Sequence, residues 1–163
     1  MQIRSSIVSV LSFMLVFTAC AQSNQSYDEM LNQLYSHSVD TISSSRIDED
    51  VIFLDARELE EFEVSHIKDA IHVGYDNFDI KKLKNISRER KIVVYCTVGY
   101  RSEKIGEELK KAGYSDVYNL YGGLFSWFDG GNMVYDMNGE VTQEVHTYDE
   151  SWSKWLNTGK KVF

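Results

Sequence analysis

No proline occurs anywhere in the 163 residues, and cysteine occurs only twice, as Cys20 and Cys96. Without proline, turns and domain boundaries lack their usual rigid marker, so segmentation rests on glycine, polar clusters and hydrophobic periodicity. Two isolated cysteines supply no disulfide framework and no Cys-x-x-Cys pair, which excludes a thioredoxin-like dithiol cycle with its own resolving thiol. Basic residues are in deficit, 17 Lys and Arg against 25 Asp and Glu, for a formal charge of −8. That balance argues against nucleic acid or an anionic lipid surface as a partner. His37, His66, His72 and His146 stand in no metal-like spacing with further ligands, so no metal and no other cofactor is expected. No internal repeat is visible, and the length suits one α/β domain with a single core.

What the chain does have is a strand, a tight loop and a helix built around Cys96. Ile92, Val93, Val94 and Tyr95 form a β-branched and aromatic run that predicts a buried strand. From Ser102 onward, Ile105, Leu109 and Ala112 fall at helical spacing, with Lys110 and Lys111 in the last turn and Gly113 as the stop. Cys96 opens the intervening loop and Arg101 closes it. A thiol at the carboxyl end of a parallel strand looks into unpaired backbone N–H groups and the positive end of the next helix dipole. Both favour thiolate over thiol, which makes Cys96 a candidate nucleophile. Gly99 suits a backbone anion cradle, and Arg101 adds a fixed positive charge beside it.

Cys96-x-x-Gly99-x-Arg101-Ser102 after an Ile-Val-Val-Tyr strand resembles the active-site loop of single-domain rhodaneses, the thiosulfate sulfurtransferase family. Leu54-Asp55-Ala56-Arg57 with Glu61-Phe62, and His66-Ile67-x-x-Ala70-x-His72-Val73, resemble the family's first two signatures. Gly122-Gly123-Leu124-Phe125-Ser126-Trp127 resembles its last, so the likeness runs over residues 47–134. The resemblance implies an α/β, rhodanese-like three-layer fold, with a central, mostly parallel five-stranded sheet and helices on both faces. It implies Cys96 as catalytic residue and Thr97, Val98, Gly99, Tyr100, Arg101 and Ser102 as the substrate-binding loop. Asp55 and Arg57 then support the loop from nearby, and His66 has a structural part rather than serving Cys96 as a base. Two glycines common in the family are replaced here by Ser65 and Asp69, which bears on the local turn and not on the chemistry.

The remaining segments fit around that centre. Residues 51–54 read as a strand buried on both faces, followed by a short acidic helix over 58–64 with Leu59 and Phe62 turned inward. Arg57 is expected to pair with Glu61, while Asp55 accepts backbone N–H bonds. A helix over 27–35 capped by Ser26, an edge strand over 39–42 and a strand over 117–120 are also expected. Residues 79–86 read as an amphipathic helix with Ile80, Leu83 and Ile86 against the sheet. Past residue 138 comes a C-terminal hairpin and helix extension. Residues 133–137 and 141–147 pair across Asn138-Gly139, a strong turn signal. The segment from Tyr148 to Trp155 resembles the closing aromatic segment of two-domain thiosulfate sulfurtransferases, and reads as a lid that packs Trp152 and Trp155 on the body.

At the other end, Arg4 precedes an apolar stretch over 7–17 that is too short to span a bilayer and has the shape of a secretory signal. Phe17-Thr18-Ala19-Cys20 is similar to a bacterial lipobox, in which the cysteine becomes a lipidated first residue. The expected organisation is a signal peptide over 1–19, a lipid-anchored tether and helix over 20–45, a rhodanese-like domain over 46–137, and the extension over 138–163. Such a protein is exported to the bacterial cell envelope, faces the periplasm, and meets the membrane only through its anchor. A monomer is expected.

The reaction implied is sulfane transfer: Cys96 takes sulfur from a small donor such as thiosulfate, becomes a persulfide, and passes the sulfur to a thiol or to cyanide. Two other classes compete. Cysteine-based phosphatases use the same strand–loop–helix idea but space the loop Cys-x5-Arg, whereas four residues separate Cys96 from Arg101 here. A non-catalytic rhodanese-like module that docks another envelope protein is the other alternative, against which the presence of the thiol argues.

Overall fold

The computed structural model describes residues 26–47 and 50–163. The expected signal peptide and Cys20 lie outside the described residues. Five strands, β1 (Thr41–Ile42), β2 (Ile52–Asp55), β3 (Ile71–His72), β4 (Ile92–Tyr95) and β5 (Val117–Leu120), form one sheet in the order β1-β5-β4-β2-β3. Every pairing in it is parallel, so the sheet is wholly rather than mostly parallel. The helices are α1 (Tyr27–Leu34), α2 (Leu59–Val64), α3 (Tyr100–Lys111), α4 (Gly123–Asp129) and α5 (Glu150–Ser153).

Strand β4 is central and fully buried, and its alternating side chains organise two cores. Val93 and Tyr95 pack with Leu31 of α1 and Leu124, Phe125 and Phe128 of α4 on one face. Ile92, Val94 and Cys96 pack with Ile105 and Leu109 of α3 on the other. This is the three-layer arrangement that the resemblance implied. Cys96 continues the alternation one residue past the strand, which aims its thiol toward the α3 side of the sheet end.

Several elements keep their expected bounds. Strands β4 and β5 do so, and α1 starts from a complete capping box between Ser26 and Glu29. Strand β1 is the expected edge strand beside β5, but it starts at Thr41 rather than at Val39. Others differ. Helix α3 begins at Tyr100, two residues before Ser102, because Gly99 adopts φ +112° and serves as the N-cap. The expected helix over 79–86 is only a 3-10 turn, Ile80–Leu83, started by Asp79 accepting the Lys81 N–H at 2.9 Å. Asn85 and Ser87, which favour local turns over helix, follow closely. Leu59 is 48% exposed rather than inward, and of the two residues only Phe62 is buried. Helix α2 puts Glu61 inside in its place.

The extension forms its hairpin from β6 (Val134–Tyr135) and β7 (Val141–Thr142), with Gly139 at φ +76° in the turn. The expected hairpin was longer. Past Thr142 the chain leaves it, and β8 (Glu144–His146) instead pairs in parallel with β9 (Lys160–Val162). Strand β8 packs on α2. Trp152 and Trp155 pack on the α1 and α4 core, with the Trp155 ring 5.6 Å from that of Tyr27.

Candidate active site

Each carbonyl of loop 96–99 is hydrogen-bonded, and one of its N–H groups, that of Gly99, reaches the thiol. Gly99 N–H donates to Cys96 Sγ at 3.1 Å, and the Ser102 hydroxyl approaches the same sulfur at 3.6 Å. On the outer side, the first N–H groups of α4 take the loop carbonyls: Leu124 donates to Cys96 O at 2.8 Å and Phe125 to Thr97 O at 3.2 Å. That approach requires Gly123, since an added Cβ there would lie 2.5 Å from Cys96 O and 2.6 Å from Thr97 O.

Two side chains from elsewhere complete the brace. Tyr35 at the end of α1 donates its hydroxyl to Val98 O at 2.5 Å and accepts from Gly122 N–H at 3.0 Å. Burial pushes this hydroxyl well above the usual tyrosine range, which keeps it protonated and donating. Asn119 of β5 donates to Gly99 O at 2.9 Å and accepts from the Ser102 hydroxyl at 2.7 Å. Neither residue was expected at the site. Asn119 left a trace in the sequence, a lone amide in an otherwise apolar strand, and it is fully buried. Tyr35 left none.

The ionic partners differ from expectation. Arg57 pairs with Asp55 and not with Glu61: Nη2 reaches Asp55 Oδ2 at 2.6 Å and the Ser65 carbonyl at 2.6 Å. Asp55 accepts the Arg57 backbone N–H at 2.9 Å as expected. Both side chains are fully buried. Burial disfavours the guanidinium charge, but the Asp55 carboxylate more than reverses this and holds the Arg57 pKa above the ordinary arginine value. Next to this pair, Ser65 is extended and Asp69 takes φ +58°, a left-handed conformation in which glycine would be unstrained.

Glu61 turns the other way, to Arg101. The pair is bidentate, with Nη1 to Oε2 at 2.6 Å and Nη2 to Oε1 at 2.7 Å. The Thr97 hydroxyl bridges it, donating to Glu61 Oε1 at 2.9 Å and accepting from Arg101 Nη2 at 3.0 Å. Burial disfavours the charge of Arg101, but its hydrogen bonds to Glu61 and its interaction with Cys96 raise its pKa, so Arg101 acts on the thiol as expected while Glu61 shares its charge.

Burial alone would raise the Glu61 pKa, but the hydrogen bonds and charge of Arg101 overcome it and hold the carboxyl below the usual range. A carboxyl depressed in the folded state adds stability that is complete above the ordinary glutamate pKa and is lost as pH falls below it. Glu61→Gln is therefore expected to flatten the acid limb of a stability–pH profile measured by urea unfolding. An unchanged slope would mean that this pair contributes nothing there.

Cys96 lies at the floor of a pocket of about 460 Å³ whose lining includes Thr97, Val98 and Arg101 of the loop and Tyr148 and Trp152 of the extension. Of the expected loop residues, Thr97, Val98, Tyr100 and Arg101 line this pocket and Gly99 and Ser102 approach the sulfur, while Asp55 and Arg57 form a buried pair outside the lining. His66 is tied elsewhere, with Nδ1 3.0 Å from Phe62 O and its ring stacked on Phe62. Among the described residues no group of His, Cys, Asp and Glu could hold a metal ion, and no helix is long and apolar enough to cross a membrane.

A buried cysteine that accepts a loop N–H at the carboxyl end of a parallel sheet defines a class of cysteine-loop α/β proteins. Within that class, the family model for the rhodanese-like domain matches residues 38–129 of this chain. The chain belongs to the rhodanese-like domain family.

Its similar curated proteins include the tRNA uridine(34) hydroxylase of Aster yellows witches'-broom phytoplasma, 34% identical over 110 residues, which cover 58% of this chain and 36% of that protein. The tRNA uridine(34) hydroxylase of Hamiltonella defensa is 33% identical over 131 residues, covering 68% of this chain and 37% of that protein. The chain thus matches about a third of the length of these relatives. Among solved structures, a rhodanese-related protein from Thermoplasma volcanium superposes with TM-score 0.52 at 28% identity, covering 58% of this chain and 96% of that one. A thiosulfate sulfurtransferase from Pseudomonas aeruginosa shares the fold, with TM-score 0.55 at 18% identity, over 72% of this chain and 23% of that one.

Proposed function

We propose that this protein is a sulfurtransferase that carries sulfane sulfur as a persulfide on Cys96. The observation that carries the reading is the Gly99 N–H on Cys96 Sγ at 3.1 Å, within a loop whose carbonyls are all turned outward or bonded. Such a ring stabilises a negative sulfur before and after the transfer. With thiosulfate as donor, the Cys96 thiolate attacks the outer sulfur. A new S–S bond forms, the old one breaks, and sulfite leaves with the electron pair. An acceptor thiolate or cyanide then takes the outer sulfur and restores the Cys96 thiolate. No redox cofactor is required, because each sulfur transfer is a nucleophilic displacement.

The tRNA uridine(34) hydroxylases named above resemble this chain over only about a third of their length. A formal charge of −8 also disfavours a polyanionic substrate such as tRNA. Lipidation of Cys20 would set the reaction in the cell envelope, where the acceptor is a thiol supplied by another molecule.

Intact mass before and after thiosulfate tests the reading on the full-length protein. Addition of one sulfur, its removal by cyanide, and complete loss of both in Cys96→Ser are expected. If no sulfane donor adds sulfur to the wild-type protein, the enzyme reading is wrong and the docking-module alternative replaces it.

A further inference from the structure

The pocket over Cys96 is larger and more aromatic than a small inorganic dianion needs. Arg101 acts on Cys96, but its two terminal nitrogens are shared with Glu61 and Thr97, and its guanidinium lies 5.4 Å from the centre of the Tyr148 ring. Glu58 and Asp76 are also among the lining residues, with the Glu58 carboxylate accepting the Tyr75 and Asp76 N–H groups at 3.3 Å, and they bring negative charge to this side of the pocket. Rings stand around the opening instead: Tyr75, Tyr100, Tyr148 and Trp152 all line it. Its volume of about 460 Å³ falls in the range of about 300–1,000 Å³ that suits organic ligands.

Tyr148 is placed there with some effort. It holds φ +69°, a conformation that a non-glycine residue rarely adopts, and its N–H donates to His146 Nδ1 at 3.1 Å. The segment that follows is pinned at both ends. Asp149 caps α5 through the Ser151 and Trp152 N–H groups, and Asp129 of α4 accepts the N–H groups of Asn157 and Thr158. The aromatic wall is a fixed part of the fold, and strain at Tyr148 is characteristic of a functional position.

We propose that the sulfur donor is an organic sulfane compound, a persulfide or thiosulfonate with an apolar or aromatic body, selected over inorganic dianions by Tyr148 and Trp152. The proposal rests on the sulfurtransferase reading of the same site. The Cys96 thiolate attacks the terminal sulfur of the donor. The new S–S bond forms as the donor's own bond to that sulfur breaks, and an organic thiolate or sulfinate departs with the electron pair. Charge balances without a proton, oxidant or reductant.

The test compares thiosulfate, methanethiosulfonate and benzenethiosulfonate as donors to the full-length protein, in wild type, Tyr148→Ala and Trp152→Ala. Persulfide formation is read by intact mass and kcat/KM by thiocyanate release to cyanide. Because intrinsic donor reactivity is the same for every variant, selection shows in how the benzenethiosulfonate-to-thiosulfate ratio changes with substitution. The ratio is expected to fall about tenfold in Tyr148→Ala, the scale of one lost aromatic contact. Circular dichroism that matches wild type confirms that the variants fold. If the ratio is unchanged in both variants while Cys96 still gains sulfur, the selection proposal is overturned and the sulfurtransferase reading survives. If no donor adds sulfur to the wild type, both fall together.

Discussion

Asp55→Ala is expected to cost the fold about 3–5 kcal/mol, the range for removing one partner of a buried ion pair. Arg57 has no exposed surface, and Asp55 takes its Nε at 3.0 and 3.1 Å, its Nη2 at 2.6 Å and its backbone N–H at 2.9 Å. Without the carboxylate, the guanidinium is left in the core with the Ser65 carbonyl as its remaining hydrogen-bond acceptor. Against a typical total stability of about 5–15 kcal/mol, that loss is large. Urea unfolding reads it as a lower midpoint. Replacing both residues together, as Asp55→Leu with Arg57→Met, is expected to recover most of the stability, because no buried charge is then left unpaired. A single variant as stable as wild type would mean that water reaches Arg57 and that the pair is not buried in solution.

Gly99→Ala is expected to lower kcat/KM for sulfur transfer about 100-fold, the scale of a misplaced reacting group. Gly99 sits at φ +112°, which disfavours any side chain. An added Cβ would also fall on the Tyr35 hydroxyl and within 2.7 Å of the ring carbon Cζ. Tyr35 cannot retreat without releasing Val98 O and Gly122 N–H. The loop must give way, and with it the 3.1 Å hydrogen bond from the Gly99 N–H to the sulfur. Steady-state kinetics beside a thermal melt separates the effects. Activity within a few-fold of wild type in a folded variant would show that the cradle tolerates displacement and that the Gly99 N–H is dispensable.

The catalytic strand and loop were legible because their signals are local. A β-branched run, a glycine at the required turn and a helical repeat after it each lie within a few residues, and β4 and β5 emerged with the expected bounds. The family of the loop was legible through its motif. What escaped was carried by contacts between segments far apart in the chain. Strand β3 has two residues, too few for any periodicity, and exists by pairing with the end of β2. The exchange of partners between Arg57 and Arg101 turns on which way Glu61 faces. That depends on α2 presenting Glu61 inward and Leu59 to solvent, the reverse of a simple hydrophobic reading. The braces from Tyr35 and Asn119 span 63 and 20 residues and follow no spacing rule.

The pairing of β8 with β9 has a consequence for how this molecule can vary. The backbone and side-chain braces of the Cys96 loop are encoded by Phe125 or earlier, whereas the ring of Tyr148 and the indole of Trp152 belong to the interval that β8 and β9 close off. On the proposed reading, part of the pocket wall is therefore encoded apart from the loop that holds the thiol, and substitutions between the two strands would change that wall while leaving the loop's braces in place.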